Sequence, residues 1–291
     1  MKIGVSGASG KLGAAVVGEL ERRAVGHDIV AVSRTPLAVP AMASRGVEVR
    51  FGDYDRPESL VSAYAGLDRL LIIPTIDLRP GRRTVQHLAA VDAAVAAGVG
   101  HVCLMSSAGT RRAEEPDVWG CYFPAEQRLM RTAKAWSILR MNFYAEAFAQ
   151  EVCSALDRGV IAGIGDGRVG FVSRGDLARA AAGLLTGEGH DGAVYTGTGP
   201  ESLSGSERAA IAAEVTGWPL RYLPLTEEAF RAALAQAGLP AGVIDVVVSL
   251  RTRFAAGGFD SVTGDIEHLS GNPPRSLRAV LADVFAPEGV Q

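Results

Sequence analysis

Cysteine, histidine and lysine are all scarce in this chain, and each scarcity narrows what it can be. Cysteine occurs only as Cys103, Cys121 and Cys153, odd in number, widely spaced and without a Cys-x-x-Cys pair. That pattern excludes a zinc framework or a disulfide scaffold and fits a reducing compartment, the cytoplasm by default. His27, His87, His101, His190 and His268 lie scattered without metal-ligand spacing, so no metal site is expected. Lysine is confined to Lys2, Lys11 and Lys134. No run of about 18 apolar residues offers a membrane span, and residue 1 opens directly into an apolar strand, so no signal peptide is expected. A net charge of −3 argues against a general nucleic-acid or membrane-surface binder.

Glycine, by contrast, is abundant, and its placement is informative. The apolar run over residues 1–6 leads into Gly7-Ala8-Ser9-Gly10-Lys11-Leu12-Gly13. Leu12, Ala15, Val16 and Leu20 then recur at helical spacing, and a second strand, Ile29-Val30-Ala31-Val32, follows. Strand, glycine turn, helix and strand make the βαβ unit that binds dinucleotides. Gly7 permits the tight turn, Gly10 removes the Cβ that would block the phosphates, and Gly13 lets the helix pack closely on the sheet. The free N–H groups and positive dipole end of that helix supply the anion site.

Strands at 48–51, 69–73, 101–106 and 136–140 alternate with helices at 57–65, 82–97 and 124–133, which implies a parallel sheet. With right-handed crossovers the expected class is α/β, a doubly wound parallel-sheet Rossmann domain whose ligand crevice lies beyond the carboxyl ends of the strands. Gly7, Arg34, Asp53, Pro74 and Ser106 all fall at or just past strand ends and are expected on one rim. After residue 141 the rhythm changes to a helix near 143–157, a glycine-rich stretch from Gly159 to Gly170, a helix with Asp176 as its N-cap, a strand near 193–197 and a mostly helical remainder. The expected division is an NADP-binding domain over 1–150, rejoined by a segment near 176–200, and a smaller, largely helical C-terminal lobe over 151–291.

Dinucleotide sites that take NAD carry an acid about 20 residues past the glycine motif for the ribose 2′-hydroxyl, whereas an arginine there accommodates the 2′-phosphate of NADP. Strand two ends Val32-Ser33-Arg34, without an acid, and Lys11 adds a second cation inside the turn. NADPH/NADP is therefore the expected cofactor, the planar fork of Arg34 being suited to a phosphate. Asp53, in Gly52-Asp53-Tyr54, has two readings: a carboxylate accepting from the adenine amino group, or an N-cap or turn residue before the helix that begins near Pro57.

Short-chain dehydrogenases that reduce carbonyls use a Tyr-x-x-x-Lys pair, the lysine lowering the pKa of the tyrosine. Here Tyr122 is followed four residues on by Glu126, and none of the lysines has the spacing to act as partner. A carboxylate beside Tyr122 would raise its pKa. Ser106 and Ser107 are either hydroxyl donors near the nicotinamide or local caps. The residues leave several functions open. One is hydride transfer to an acceptor that needs little proton assistance, such as a quinone or a conjugated cation. A second is NADP binding without chemistry, by a redox-responsive regulator with a protein partner. A third is a pathway-specific reductase or isomerase of an aromatic metabolite. Oligomeric state has no signature in the sequence.

The glycine turn, Arg34 with Pro36, Gly52-Asp53-Tyr54, Leu70-Leu71-Ile72-Ile73, Leu139-Arg140-Met141-Asn142-Phe143-Tyr144-Ala145-Glu146, Gly165-Asp166-Gly167-Arg168 and Arg174-Gly175-Asp176-Leu177-Ala178 together resemble the NmrA-like atypical short-chain dehydrogenases. The resemblance runs nearly end to end, and within that family it is greatest to the bacterial type 2 NAD(P)H:quinone oxidoreductases. It implies a Rossmann domain that binds NADPH, a small helical lobe, and between them a pocket for a quinone or other small aromatic substrate. By position, Gly7, Ala8, Ser9, Gly10, Lys11 and Leu12 would hold the pyrophosphate, Arg34 the 2′-phosphate, and Pro74 and Thr75 the ribose or nicotinamide. Asn142, Phe143 and Tyr144 would form the pocket wall, and Tyr122, Asn142 and Tyr144 are the candidate catalytic residues. Two departures fall near the substrate. The asparagine that directly follows Leu-Arg in the subgroup is Met141 here, with Asn142 one step later, and the Glu-Lys helix opening is Glu126-Gln127. Trp119 either stacks on a flat ring at the pocket rim or packs in the core.

Overall fold

Short apolar runs bounded by turn residues, too brief for helices, become strands buried on both faces. The computed structural model describes residues 1–23, 26–36, 40–75, 77, 79, 81–113 and 119–286. Its first half alternates β1 (Lys2–Ser6), α1 (Lys11–Arg23), β2 (Asp28–Ser33), α2 (Pro40–Ala43), β3 (Glu48–Phe51), α3 (Pro57–Tyr64), β4 (Arg69–Ile72), α4 (Arg82–Ala96), β5 (His101–Ser107), α5 (Tyr122–Thr132) and β6 (Trp136–Met141). The second half runs α6 (Ala145–Ala155), β7 (Val160–Ile164), α7 (Arg174–Thr186), β8 (Ala193–Gly197), α8 (Gly205–Thr216), β9 (Arg221–Leu225), α9 (Glu227–Gln236), α10 (Ala241–Ala255), α11 (Asp265–Ser270) and α12 (Leu277–Val284).

Seven strands form one parallel sheet in the order β3-β2-β1-β4-β5-β6-β8, the doubly wound α/β class expected from the alternation. The strand period of two divides their side chains between two cores. Val5, Ala31, Leu71, Met105 and Leu139 face α1, α7 and α11, while Val30, Val32, Leu70, Ile72 and Leu104 face α3, α4 and α5. Each fully buried side chain of this kind stabilises the fold by about 1.5–3 kcal/mol. The first turns of α1, α4 and α7 are thereby brought to the carboxyl edge of the sheet, around one cavity.

Beyond β6 the remainder is mostly helical, as expected, and the glycine-rich stretch also contains a strand, β7, which runs parallel to β9 with Ile161 beside Tyr222. One expectation fails: α7 is capped by Ser173, not by Asp176. Ser173 has the extended backbone that a cap needs, and its Oγ accepts from Asp176 N at 2.9 Å while donating to Asp176 Oδ2 at 2.7 Å. Asp176 is fully buried, pairs with Arg179 and accepts from Arg275 N at 3.0 Å, tying α7 to the C-terminal segment. A third core, rich in Phe148, Phe171, Phe254 and Phe259, lies among α6, α8, α12 and β7. Among the described residues no helix is long and apolar enough to cross a membrane.

Candidate active site

A cavity of about 650 Å³ opens at the carboxyl edge of the sheet, where the glycine turn, Arg34, Asp53, Pro74 and Thr75 meet Tyr122 and Tyr144. A second cavity of about 630 Å³ lies at the opposite edge, among Lys2, Glu21, His27, Arg45 and Glu48. Four of its charges are paired, Lys2 with Glu48 and Arg45 with Glu21, and it lies away from the edge where such sheets bind ligands.

Glycine is required at the turn for three separate reasons. Gly7 has φ +85°, which only glycine adopts freely. A Cβ on Gly13 would collide with Gly7 O and lie 2.8 Å from Ala8 Cα, so α1 could not approach β1. Over Gly10 the space is open: a Cβ there would meet nothing nearer than Gly7 O at 3.4 Å. Gly7 N and Ala8 N both donate to Val32 O, at 3.0 and 3.1 Å. Ala8 is fully buried and absent from the cavity wall. It shapes the turn and is not positioned for the phosphate contact expected of it, because its N–H is already engaged. Ser9, Gly10, Lys11, Leu12 and Gly13 do line the cavity.

Ser33 Oγ donates to Ser9 Oγ at 3.0 Å and accepts from Thr35 N at 3.0 Å, holding the end of β2 against the glycine turn. Lys11 and Arg34 are exposed there, and neither has a hydrogen-bond or ion-pair partner among the described residues. Two uncommitted cations beside a bare glycine turn and a helix N-terminus suit a phosphorylated dinucleotide. Asp53 also lines the cavity. Its Oδ1 accepts from Asp55 N at 3.0 Å, while the residue preceding α3 as its cap is Arg56, so Asp53 is a turn residue and not an N-cap.

Ser106 and Asn142 do not reach the cavity, against expectation. Ser106 is fully buried and donates to Glu126 Oε1 at 2.6 Å. The same carboxylate accepts from Arg140 Nε at 3.0 Å and Nη2 at 2.6 Å. Glu126 is therefore turned to β6 and is not what raises Tyr122; burial does that, with the Arg83 charge opposing it. Asn142 donates to Phe259 O at 3.2 Å and Ser261 Oγ at 3.3 Å and accepts from Phe143 N at 2.7 Å. It clamps the end of β6 to the 259–261 segment. Phe143 turns into the third core, 5.0 Å ring to ring from Phe254. Trp119 packs rather than lining the cavity, its ring stacked 6.5 Å from Tyr122 and edge-on to Phe259 at 5.0 Å.

Tyr122, at the start of α5, and Tyr144, just before α6, do line the cavity, together with Met105 of β5, Met141 of β6, Arg83 and Gln86 of α4 and Arg174 of α7. Tyr144 Oη donates to Met141 Sδ at 3.0 Å, and the Arg174 guanidinium lies 4.9 Å from the Tyr144 ring centre. Arg83 and Gln86 lie in no sequence motif, and Arg174 opens the Arg174–Ala178 motif without being marked by it as a cavity residue. The available signal is positional, since the first turns of helices in a doubly wound sheet point at the crevice.

Two stability tests follow from the surroundings of this wall. Arg140→Met strands the Glu126 carboxylate, 1% exposed, without its cation. A loss of about 3 kcal/mol is expected, read by urea denaturation, and Glu126→Gln added to Arg140→Met should recover part of it. An unchanged midpoint in Arg140→Met would show the pair to be dispensable. His87 is buried, and desolvation with the Arg83 charge lowers its pKa to about 3. An unfolded histidine titrates near 6.5, so the unfolded chain binds more protons in between. The stability tied to neutral His87 is complete above about pH 6.5 and declines as acid is added, by at most about 1.4 kcal/mol per pH unit. His87→Leu should narrow the difference in melting temperature between about pH 7 and about pH 5; an unaltered difference would assign the acid sensitivity elsewhere.

A family model described as NAD(P)H-binding matches residues 7–188. Quinone oxidoreductase 2 of Escherichia coli strain K12 is 31% identical over 286 residues, 97% of this chain and 98% of that protein. The NAD(P)H azoreductase of Xenophilus azovorans is 26% identical over 275 residues, 94% of each chain. A crystal structure of an NADPH-dependent quinone oxidoreductase from Escherichia coli, complexed with NADPH, superposes with a TM-score of 0.90 at 31% identity, covering 97% of this chain and 99% of that one.

Proposed function

The chain belongs to the NAD(P)H-binding family, within the NmrA-like group that its sequence resembles, and from that premise we propose that it is an NADPH-dependent reductase passing a hydride to a quinone or another small conjugated acceptor. The observation that carries this reading is one cavity with two chemically distinct ends. One end has the glycine turn, Lys11 and Arg34; the other has Tyr122, Tyr144, Met105 and Met141. The similar quinone oxidoreductase and azoreductase support the reaction class.

Bound NADPH supplies the hydride, and the chain's own residues bind, orient and enclose. Ser9 and Leu12 offer backbone N–H groups to the pyrophosphate at the start of α1, Gly10, whose own N–H is taken by Gly7 O, lets it approach without a Cβ in the way, and Lys11 adds a charge. Arg34 takes the 2′-phosphate, Asp53 faces the adenine side, and Pro74 and Thr75 border the ribose or nicotinamide. Tyr144 and the two methionines form an apolar wall for a flat acceptor, the thioethers adapting to its shape. The main sheet with α7 and β8 forms the nucleotide unit, and the phenylalanine-rich part with β7 and β9 closes the acceptor end. A cytoplasmic setting suits both NADPH and the three free cysteines.

The test is NADPH consumption by purified protein with a panel of benzoquinones and naphthoquinones, with NADH in parallel. Turnover that favours NADPH is the expected result. Tight nucleotide binding with no acceptor reduced would defeat the reductase reading and turn attention to a regulator whose affinity for a protein partner depends on the nucleotide.

A further inference from the structure

We propose that Tyr122 is the proton donor to the reduced acceptor and that Arg83 of α4 is its positioning residue, taking the part of the lysine missing from α5; the inference rests on the reductase reading above. Arg83 Nη2 donates to Tyr122 Oη at 2.6 Å, and the Arg83 guanidinium lies 5.0 Å from the centre of the phenol ring. A guanidinium has donors only, so Arg83 occupies a lone pair of the hydroxyl and leaves its proton unengaged. No other described residue hydrogen-bonds to Tyr122 Oη. Yet the side chain is only 3% exposed and forms part of the cavity wall. A buried O–H without an acceptor is costly, and the group that completes this one is a molecule in the cavity. Tyr144 is not equivalent, because its O–H is already directed to Met141 Sδ.

The surroundings hold this arrangement in place. Trp119 stacks behind the Tyr122 ring at 6.5 Å and His87 lies 5.4 Å away, tilted by 38°. Burial raises the phenol pKa, so the group stays protonated at neutral pH, while Arg83 lowers it and so favours the anion left behind. Hydride transfer to a quinone delivers two electrons and one hydrogen and leaves an oxyanion on the acceptor. The Tyr122 proton moves to that oxygen and completes the hydroquinone. The tyrosinate, beside Arg83, then recovers a proton from solvent.

The test compares wild type with Tyr122→Phe, Arg83→Met and Arg83→Lys, using NADPH and 1,4-quinones graded by the basicity of their reduced anions. Tyr122→Phe and Arg83→Met are expected to lower kcat by about 100-fold for the most basic product and less for the others. NADPH affinity, read by fluorescence titration, should change little, and Arg83→Lys should restore part of the rate. An ultraviolet titration of tyrosinate in the free protein gives a readout apart from turnover. The step lost in Tyr122→Phe should move to higher pH in Arg83→Met, because a cation no longer opposes burial. Normal kcat in Tyr122→Phe for every acceptor, or an unmoved tyrosinate step in Arg83→Met, would overturn the inference and leave the reductase reading standing. A wild type that reduces no acceptor would overturn both.

Discussion

Valine at Gly13 should leave the protein largely unfolded, whereas valine at Gly10 should leave it folded and unable to hold NADPH. The two glycines are three residues apart in one turn, but they face different things. A Cβ on Gly13 meets backbone, Gly7 O and Ala8 Cα, and neither can move without parting α1 from β1. A cost of about 4 kcal/mol or more is expected, a large share of the roughly 5–15 kcal/mol that holds a domain together. A Cβ on Gly10 touches only Gly7 O, at 3.4 Å, so the stability cost should stay near about 0.5 kcal/mol. Its valine methyls would instead occupy the space of the phosphates, and NADPH affinity should fall by about 100-fold or more, some 2.7 kcal/mol. Melting curves followed by circular dichroism separate the two effects, with NADPH fluorescence titration applied to the folded variant. If Gly10→Val bound NADPH as wild type does, the pyrophosphate would have to sit elsewhere.

Arg34→Glu should reverse the choice of nucleotide. Arg34 is exposed at the cavity rim with no partner among the described residues, so its charge is free for a ligand. Hydrogen bonds from a cation to a charged group contribute about 1.5–3 kcal/mol. The variant loses that, adds repulsion toward the 2′-phosphate, and provides a carboxylate able to accept from the 2′-hydroxyl of NADH. Together these should shift the NADPH-to-NADH preference by about 1,000-fold, or about 4 kcal/mol. Arg34→Ala should show only the first part, with NADH nearly unaffected. Salt should weaken NADPH binding to wild type more than to either variant, since an exposed charge is screened. Equal loss of both nucleotides in Arg34→Ala would mean that the arginine supports the turn and does not read the phosphate.

The main sheet is legible in the sequence because its signals are local. Strands β1, β2, β4, β5 and β6 are brief, mainly apolar runs, β3 is short and alternates charged with apolar residues, the longer connecting helices have their own period, and the right-handed βαβ rule orders them. The small sheet is not legible, because β7 carries Gly163 and β9 carries Pro224, both poor strand residues. Each becomes a strand only by pairing with a partner some 60 residues away. The same distinction divides the site. Gly7, Gly10, Gly13 and Arg34 are recognisable because the turn and the strand that present them are local structure. Ser106 and Asn142 occupy strand-end positions that look equivalent in sequence, but Glu126 and Phe259, brought in from elsewhere, turn their side chains away from the cavity.

By itself the sequence determined the class of fold, the nucleotide turn and the position of the cation proposed to select NADPH, all of which are written in residues near one another along the chain. Only the tertiary structure decided that Tyr122 has a cationic neighbour. Arg83 is 39 residues away, on α4, and no spacing rule on α5 could have found it. The physical reason is that a hydrogen bond depends on where the donor and acceptor end up in space, and across a doubly wound sheet that placement is set by packing rather than by proximity in the chain.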